Sequence, residues 1–492
     1  MDLRGTIPPE IGNLSFLSFL DISGNRFHGS LPFELGNLHR LKVMAMRVNN
    51  ITGEIPPSIG MLHELQHLDL GTNSLTGSIP SGVFNISSLR TIRLGDNRLI
   101  GSLPDNLCNG IESVKKIILP DNYLTGNVPG SLRNCKSLQI LDLGDNNLTG
   151  NIPRSMGELP VLEELYLYNN QLKGNVPSSL FNVSSLRLIS LTRNSLTGGL
   201  PSEMCDNLPQ IEGMAVSYNQ LSGPIPSNLS SCRKLQILSL SYNAFSGQIP
   251  EGIGMLPVIQ TLYLGGNYLT GTIPPSISNL TSLEQLGLEG AGLSVFSYLI
   301  LNSLTETGTL PRYVSSMSLL TYFIAEANNF DGNIWESFCN LSRLEHLTLS
   351  SNYLHGSIPQ CLGHLQALKY LSLGNNSLMG PIPQSIFNIS MLEKLHLEFN
   401  NLSGKLPDNL GDLLPNIKVL ILNSNKLIGS IPTSVSNATR LSLLSLALNH
   451  LTGSVPATLG KLHELKELLL HSNYLTVKPT TTKETEDTVV RI

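Results

Sequence analysis

The chain has 492 residues, of which 14% are charged and 5% aromatic, with a single Trp and a formal net charge of −5. So small a charge leaves no electrostatic footprint for nucleic acid, and no Lys/Arg run marks a membrane surface. There is also no unbroken run of about 18 apolar residues, so no segment is expected to insert in a bilayer.

From its first residues the chain repeats one phrase, LxLxxNxLTGxIP, seen at Leu141 to Pro153. The Asn of that phrase falls at Asn25, Asn49, Asn73, Asn97, Asn122, Asn146, Asn170, Asn194, Asn219, Asn243 and Asn267. After an interruption it resumes at Asn328, Asn352, Asn376, Asn400, Asn425, Asn449 and Asn473. The step is 24 residues, or 25 at three places, which predicts about 19 coils. A fixed period of this length predicts a solenoid and overrides the several globular domains that length alone would suggest. No coil could fold alone, because each buries its apolar edge only against its neighbours.

Within a coil, Leu165-Tyr166-Leu167 alternates as a short strand requires, with the leucines inside and Tyr166 outside. Asn170 is placed to turn inward and bond backbone groups left unpaired by the bend. Stacked coils, about 4.8 Å apart, predict a parallel sheet on one side. Gly174 and Pro177 break any helix and predict a narrow, irregular return.

The fuller phrase LxxLxLxxNxLxGxIPxxLgxL, intact at Leu262 to Leu283, resembles the plant-specific leucine-rich repeat. Runs such as Gly5 to Pro32 are similar to ectodomains of plant receptor-like kinases and receptor-like proteins, most of all the microbial-pattern receptors. The resemblance implies an α/β leucine-rich-repeat superhelix over 1–476, with a parallel sheet on the concave face and an irregular or 3-10 convex side. It also implies a non-enzymatic, extracellular function: capture of a peptide or microbial-pattern ligand on the concave face, then recruitment of a co-receptor kinase ectodomain. A free-standing scaffold or enzyme inhibitor is the alternative. Such ectodomains begin with a signal peptide and a Cys-bearing cap and end with a second cap, a membrane helix and often a kinase. The absence of these features here predicts a fragment or an imperfect gene model, associated with the plasma membrane only through its parent.

Taken in chain order, the first chemical candidate is His63-Glu64-Leu65-Gln66-His67, which matches the zinc motif HExxH. That motif needs a helix, whereas the repeat phase puts His63 on a loop flank and His67 on a strand, so neither metal nor cofactor is expected. Cys108 and Cys135 are 27 residues apart, as are Cys205 and Cys232, while Cys339 and Cys361 are 22 apart. Adjacent coils could bring such pairs within disulfide reach, but Cys135 and Cys232 also stand where leucine stands elsewhere, which favours buried thiols. Sequons occur at Asn13, Asn50, Asn85, Asn147, Asn182, Asn228, Asn279, Asn340, Asn375, Asn388, Asn401 and Asn437, and would be glycosylated in a secreted chain.

At 291–307 the repeat is interrupted. Removing 291–301 and 306–307 restores a clean coil, so this 13-residue excursion is either a ligand-contacting island or non-coding sequence read through. Beyond the solenoid, 477–492 is a polar tail without periodicity, expected to be disordered.

The inner face carries the side chains two and four residues before each Asn, flanked by those six and one before it. This reading selects Arg93, Lys116, Asp142, Glu164, Tyr166, Tyr168, Arg193, Ser217, Tyr242 and Tyr263. Further on it selects Tyr322, Glu326, His346, Tyr370, His396 and Glu398. Tyrosines among small polar residues are what recognition surfaces favour, since Tyr contributes area with little entropy loss. No nucleophile triad or paired acid/base constellation stands out from the repeat.

Overall fold

The computed structural model describes residues 2–288, 308–310, 314, 316–476 and 490–491. Two compact units divide them, Met1–Phe245 and Ser246–Ile492.

In Met1–Phe245 each coil opens with a three-residue strand, and successive strands pair in parallel. Ile140–Asp142, Glu164–Tyr166 and Leu188–Ser190 are typical, with Asp142 opposite Tyr166 and Tyr166 opposite Ser190. Leu165 is fully buried between half-buried Glu164 and Tyr166, the alternation that a one-sided strand requires. Each such leucine contributes about 1.5–3 kcal/mol by leaving water.

The repeat Asn fastens each coil to the one before. Asn146 Nδ2 donates to Leu119 O of the preceding coil (3.0 Å) and to Leu143 O and Gly144 O of its own (3.3 and 2.9 Å). Its Oδ1 accepts from Leu124 N (3.0 Å). Just before it, Asp145 has φ 47°, and Asp121 and Asn169 hold the same left-handed turn at 53° and 49°. Asp and Asn are the non-glycine residues that best tolerate that conformation.

The return is more ordered than the sequence suggests. Lys173–Asn175 and Ser195–Gly198 pair as a second parallel ladder, behind which lies the 3-10 helix Ser178–Asn182. Gly174, at φ +73°, is what permits this, because a Cβ there would meet Asn151 Oδ1 at 2.6 Å. Two of the 25-residue coils have a short α-helical turn at the back, Met204–Asn207 here and Leu410–Leu413 in the other unit, as does a 24-residue coil at Gln384–Phe387.

Ser246–Ile492 is built alike. Its sheet passes through Thr261–Tyr263, Gln285–Gly287, Tyr322–Ile324, His346–Thr348, Tyr370–Ser372 and Lys394–His396, then continues to Glu467–Leu469. Gln285 pairs directly with Tyr322, so the sheet keeps its register past the interrupted coil. The 291–307 excursion lies outside the described residues, as does most of the 477–492 tail, of which Val490–Arg491 pairs with the Glu467–Leu469 strand.

Three disulfides cross adjacent coils: Cys108–Cys135, Cys205–Cys232 and Cys339–Cys361, with Cα separations of 5.3, 4.8 and 5.7 Å. The buried-thiol alternative is therefore not what the structure contains. Cys135 and Cys232 do occupy leucine-like buried sites, but each faces a second Cys on the neighbouring coil. The HELQH segment is a turn at His63 followed by the strand His67–Asp69, so its histidines share no helical face.

Candidate ligand-binding face

In Met1–Phe245 the strand face brings Asp142, Glu164, Tyr166 and Tyr168 into one patch. The Tyr166 hydroxyl donates to Glu164 Oε2 (3.1 Å), and Gly144 N donates to Asp142 Oδ1 (3.1 Å). The Tyr168 ring lies across Gly144, where a Cβ would come within 2.4 Å of it. On the adjoining flank Asn169 Nδ2 donates to Asp145 Oδ1. Burial pushes the Asp142 carboxyl up to about 6; the Gly144 N–H opposes this, and the charges of Asp121, Asp145 and Glu164 add to it. Burial likewise holds the hydroxyls of Tyr166 and Tyr168 protonated, pushed up to about 12, with the nearby carboxylates reinforcing the effect.

The other residues selected from the sequence in this unit lie on neighbouring strands and on the flank. Arg93 is half-buried two strands before Asp142, and its Nε makes no hydrogen bond. Lys116 is half-buried in the outer column between Thr91 and Ile140. Arg193 is exposed on the flank, 5.5 Å from the centroid of Tyr218, which in turn stacks on Tyr242 at 4.3 Å. Asp121, Asp145 and Tyr218 were not selected from the sequence. All three precede a repeat Asn and occupy the left-handed turn, a position recognisable from the phase of the repeat.

In Ser246–Ile492 the Tyr263 hydroxyl donates to Gln285 Oε1 of the next strand. Further along, four rings follow one another, one per coil. Tyr322 stacks on His346 at 4.4 Å, His346 meets Tyr370 edge-on at 5.8 Å, and Tyr370 meets His396 at 5.2 Å. Burial lowers the pKa of both imidazoles and raises those of the Glu326 and Glu398 carboxyls. Ion pairs run beside the rings, Lys369 to Glu345 at 2.7 Å and Lys418 to Glu393 at 2.6 Å.

The twelve sequon asparagines avoid the face and its flanks except for Asn375, which stands on the flank just before the repeat Asn376. Eleven are exposed, while Asn228 is half-buried and donates to Asp206 Oδ2 (3.0 Å). Among the described residues no helix is long and apolar enough to cross a membrane, and no group of three His, Cys, Asp or Glu is placed to hold a metal.

Leucine-rich-repeat family models match residues 112–172, 318–378 and 342–402, and, with a shorter model, 16–38, 64–86, 88–109, 234–256 and 259–280. No match was found among curated proteins. Solved structures match over nearly the whole chain. The ectodomain of the Arabidopsis thaliana membrane receptor kinase GASSHO1/SCHENGEN3, in complex with CASPARIAN STRIP INTEGRITY FACTOR 2, superposes with a TM-score of 0.89 at 34% identity. That match covers 96% of this chain and 55% of the other, so the present chain spans about half the length of that relative. The plant peptide hormone receptor RGFR1, in complex with RGF2, gives 0.79 at 32% identity, covering 96% of this chain and 77% of that one. The Arabidopsis receptor kinase HAESA, in complex with the peptide hormone IDA and the co-receptor SERK1, gives 0.78 at 32%, covering 98% and 78%.

Proposed function

Because the chain belongs to the leucine-rich-repeat ectodomains of plant receptors, we propose that it captures an extended peptide on its strand face and then engages a co-receptor ectodomain. The observation that carries this reading is the patch of Asp142, Glu164, Tyr166 and Tyr168, where aromatic area and half-buried acids converge on a face clear of sequons. Half-buried tyrosines with fixed neighbours lose little entropy on contact, and desolvated polar groups among them give direction to binding. The peptide-bound relatives favour a peptide over a microbial pattern, and the HAESA complex supports a second receptor as partner. The reading places the chain outside the cell, glycosylated, and acting by association rather than catalysis.

The test is binding of a secreted peptide fraction to the immobilised chain. Tyr166→Ala combined with Tyr168→Ala should weaken retention at least ~10-fold, equivalent to about 1.4 kcal/mol, while leaving the thermal midpoint in place. Unchanged retention would move the contact surface away from these coils.

A further inference from the structure

The strand face of Ser246–Ile492 carries a depression whose floor is small: Thr348 and Ser372 are buried, the hydroxyls of Ser350 and Ser372 are hydrogen-bonded to each other, and Gly374 has no side chain. Its ends are acidic. Glu326 stands at one end, and three coils on Glu398 folds back over Gly374, where a Cβ would lie 2.6 Å from Glu398 Oε1. Tyr370 forms a wall, its hydroxyl bonded to Ser372 and within the electrostatic reach of both carboxylates. His396 adjoins it, with its ring 5.2 Å from that of Tyr370.

The charges here are unbalanced. The neighbouring Lys369 and Lys418 are already paired with Glu345 and Glu393. Lys394 packs on the Tyr370 ring at 5.7 Å and forms no ion pair with either Glu326 or Glu398. Glu398 Oε2 and His396 Nε2 are buried without a hydrogen-bond partner. An anion would meet two carboxylates and a tyrosine, and an apolar group would leave them unpaired. A weakly hydrated cation that can also lie against an aromatic ring satisfies both conditions, and a guanidinium does so best.

Resting on the peptide reading above, we propose that this depression anchors a basic side chain of the peptide, arginine or lysine, between Glu326 and Glu398 and against Tyr370. The aliphatic stem lies along Ser350 and the Tyr370 ring, and the cationic head takes the hydrogen bond that Glu398 Oε2 lacks. Specificity then arises at this point by charge.

The probe is a positional-scanning library of extended decapeptides in a Gly/Ser/Pro background, passed over the immobilised full chain. Lys or Arg at one position should be enriched at least ~10-fold over citrulline or Gln. Glu326→Gln and Glu398→Gln, singly and together, should abolish that enrichment without lowering the thermal midpoint. Peptides retained without basic preference, or a preference that persists in the double Gln variant, would overturn the inference and leave the strand-face reading standing. No peptide retained above the blank matrix would overturn both.

Discussion

At the scale of single residues, Asn146 carries a disproportionate share of the architecture. One amide closes four hydrogen bonds to two coils, all of them to backbone groups hidden from water. Asn146→Ala would leave those groups unpaired, so a loss of about 2–4 kcal/mol is expected. It should appear as faster amide hydrogen exchange at Leu124 and its neighbours. Asp142 behaves in the opposite sense. Its carboxyl is pushed up to about 6, above its ordinary value, so the folded chain holds the proton more tightly than the unfolded one. Its ionisation therefore costs stability: as pH rises from about 4 to about 6 the protein loses stability through this group, and the loss is complete above that window. Asp142→Asn keeps the acceptor for Gly144 N and removes the charge. It should stabilise the chain at pH 8 by roughly 1 kcal/mol, discounted for partial exposure, and flatten the dependence on pH between 4 and 6. Denaturation series at pH 4, 6 and 8 would show either outcome.

At the scale of elements, the back of each coil is as closely fitted as the front. Gly254, in the 3-10 helix Glu251–Met255, approaches the next coil so closely that a Cβ would meet Ser276 O at 2.1 Å. Gly254→Ala should therefore displace the helix Pro275–Asn279 at a cost of about 1–3 kcal/mol, read as earlier proteolytic cleavage within 275–279. This closeness was not legible from the repeat. Alternation revealed the strands, because burying every second residue leaves a visible pattern. The second ladder depends on a left-handed glycine whose letter looks the same as in any turn. Likewise Tyr218 reads as an ordinary repeat residue until the left-handed turn sets its ring in a stack on Tyr242. The cysteines fit two readings because a leucine-like position does not reveal what faces it across the coil.

For the whole molecule, the period gave fold and face together, while the identity of a partner rests on positions the period leaves free. Glu326 and Glu398 are three coils apart, and only the fold of Glu398 over Gly374 shows that they bound one depression. The sequon pattern has a consequence at the same scale. In secreted protein, glycopeptide mass spectrometry should find Asn228 the least occupied site, since its amide is half-buried and already bonded to Asp206. Treatment with a glycosidase should lower solubility and change peptide retention only through Asn375, the sequon on the flank beside Gly374.

The asparagine bonds have a direction, and under mechanical load that direction becomes a polarity. Each Asn reaches back to the coil before it, as Asn146 does to Leu119 and Leu124, so a coil is held by its successor. A chain pulled from its C-terminal end loses these clasps in order, each released rung freeing the grip on the one before. With 24 residues per rung, each event should lengthen the tether by roughly 80 Å at about 3.4 Å per residue. A force trace in reducing buffer would then be a sawtooth, regular outside the interrupted coil. Without reductant, the teeth should be missing at the rungs tied by Cys339–Cys361, Cys205–Cys232 and Cys108–Cys135.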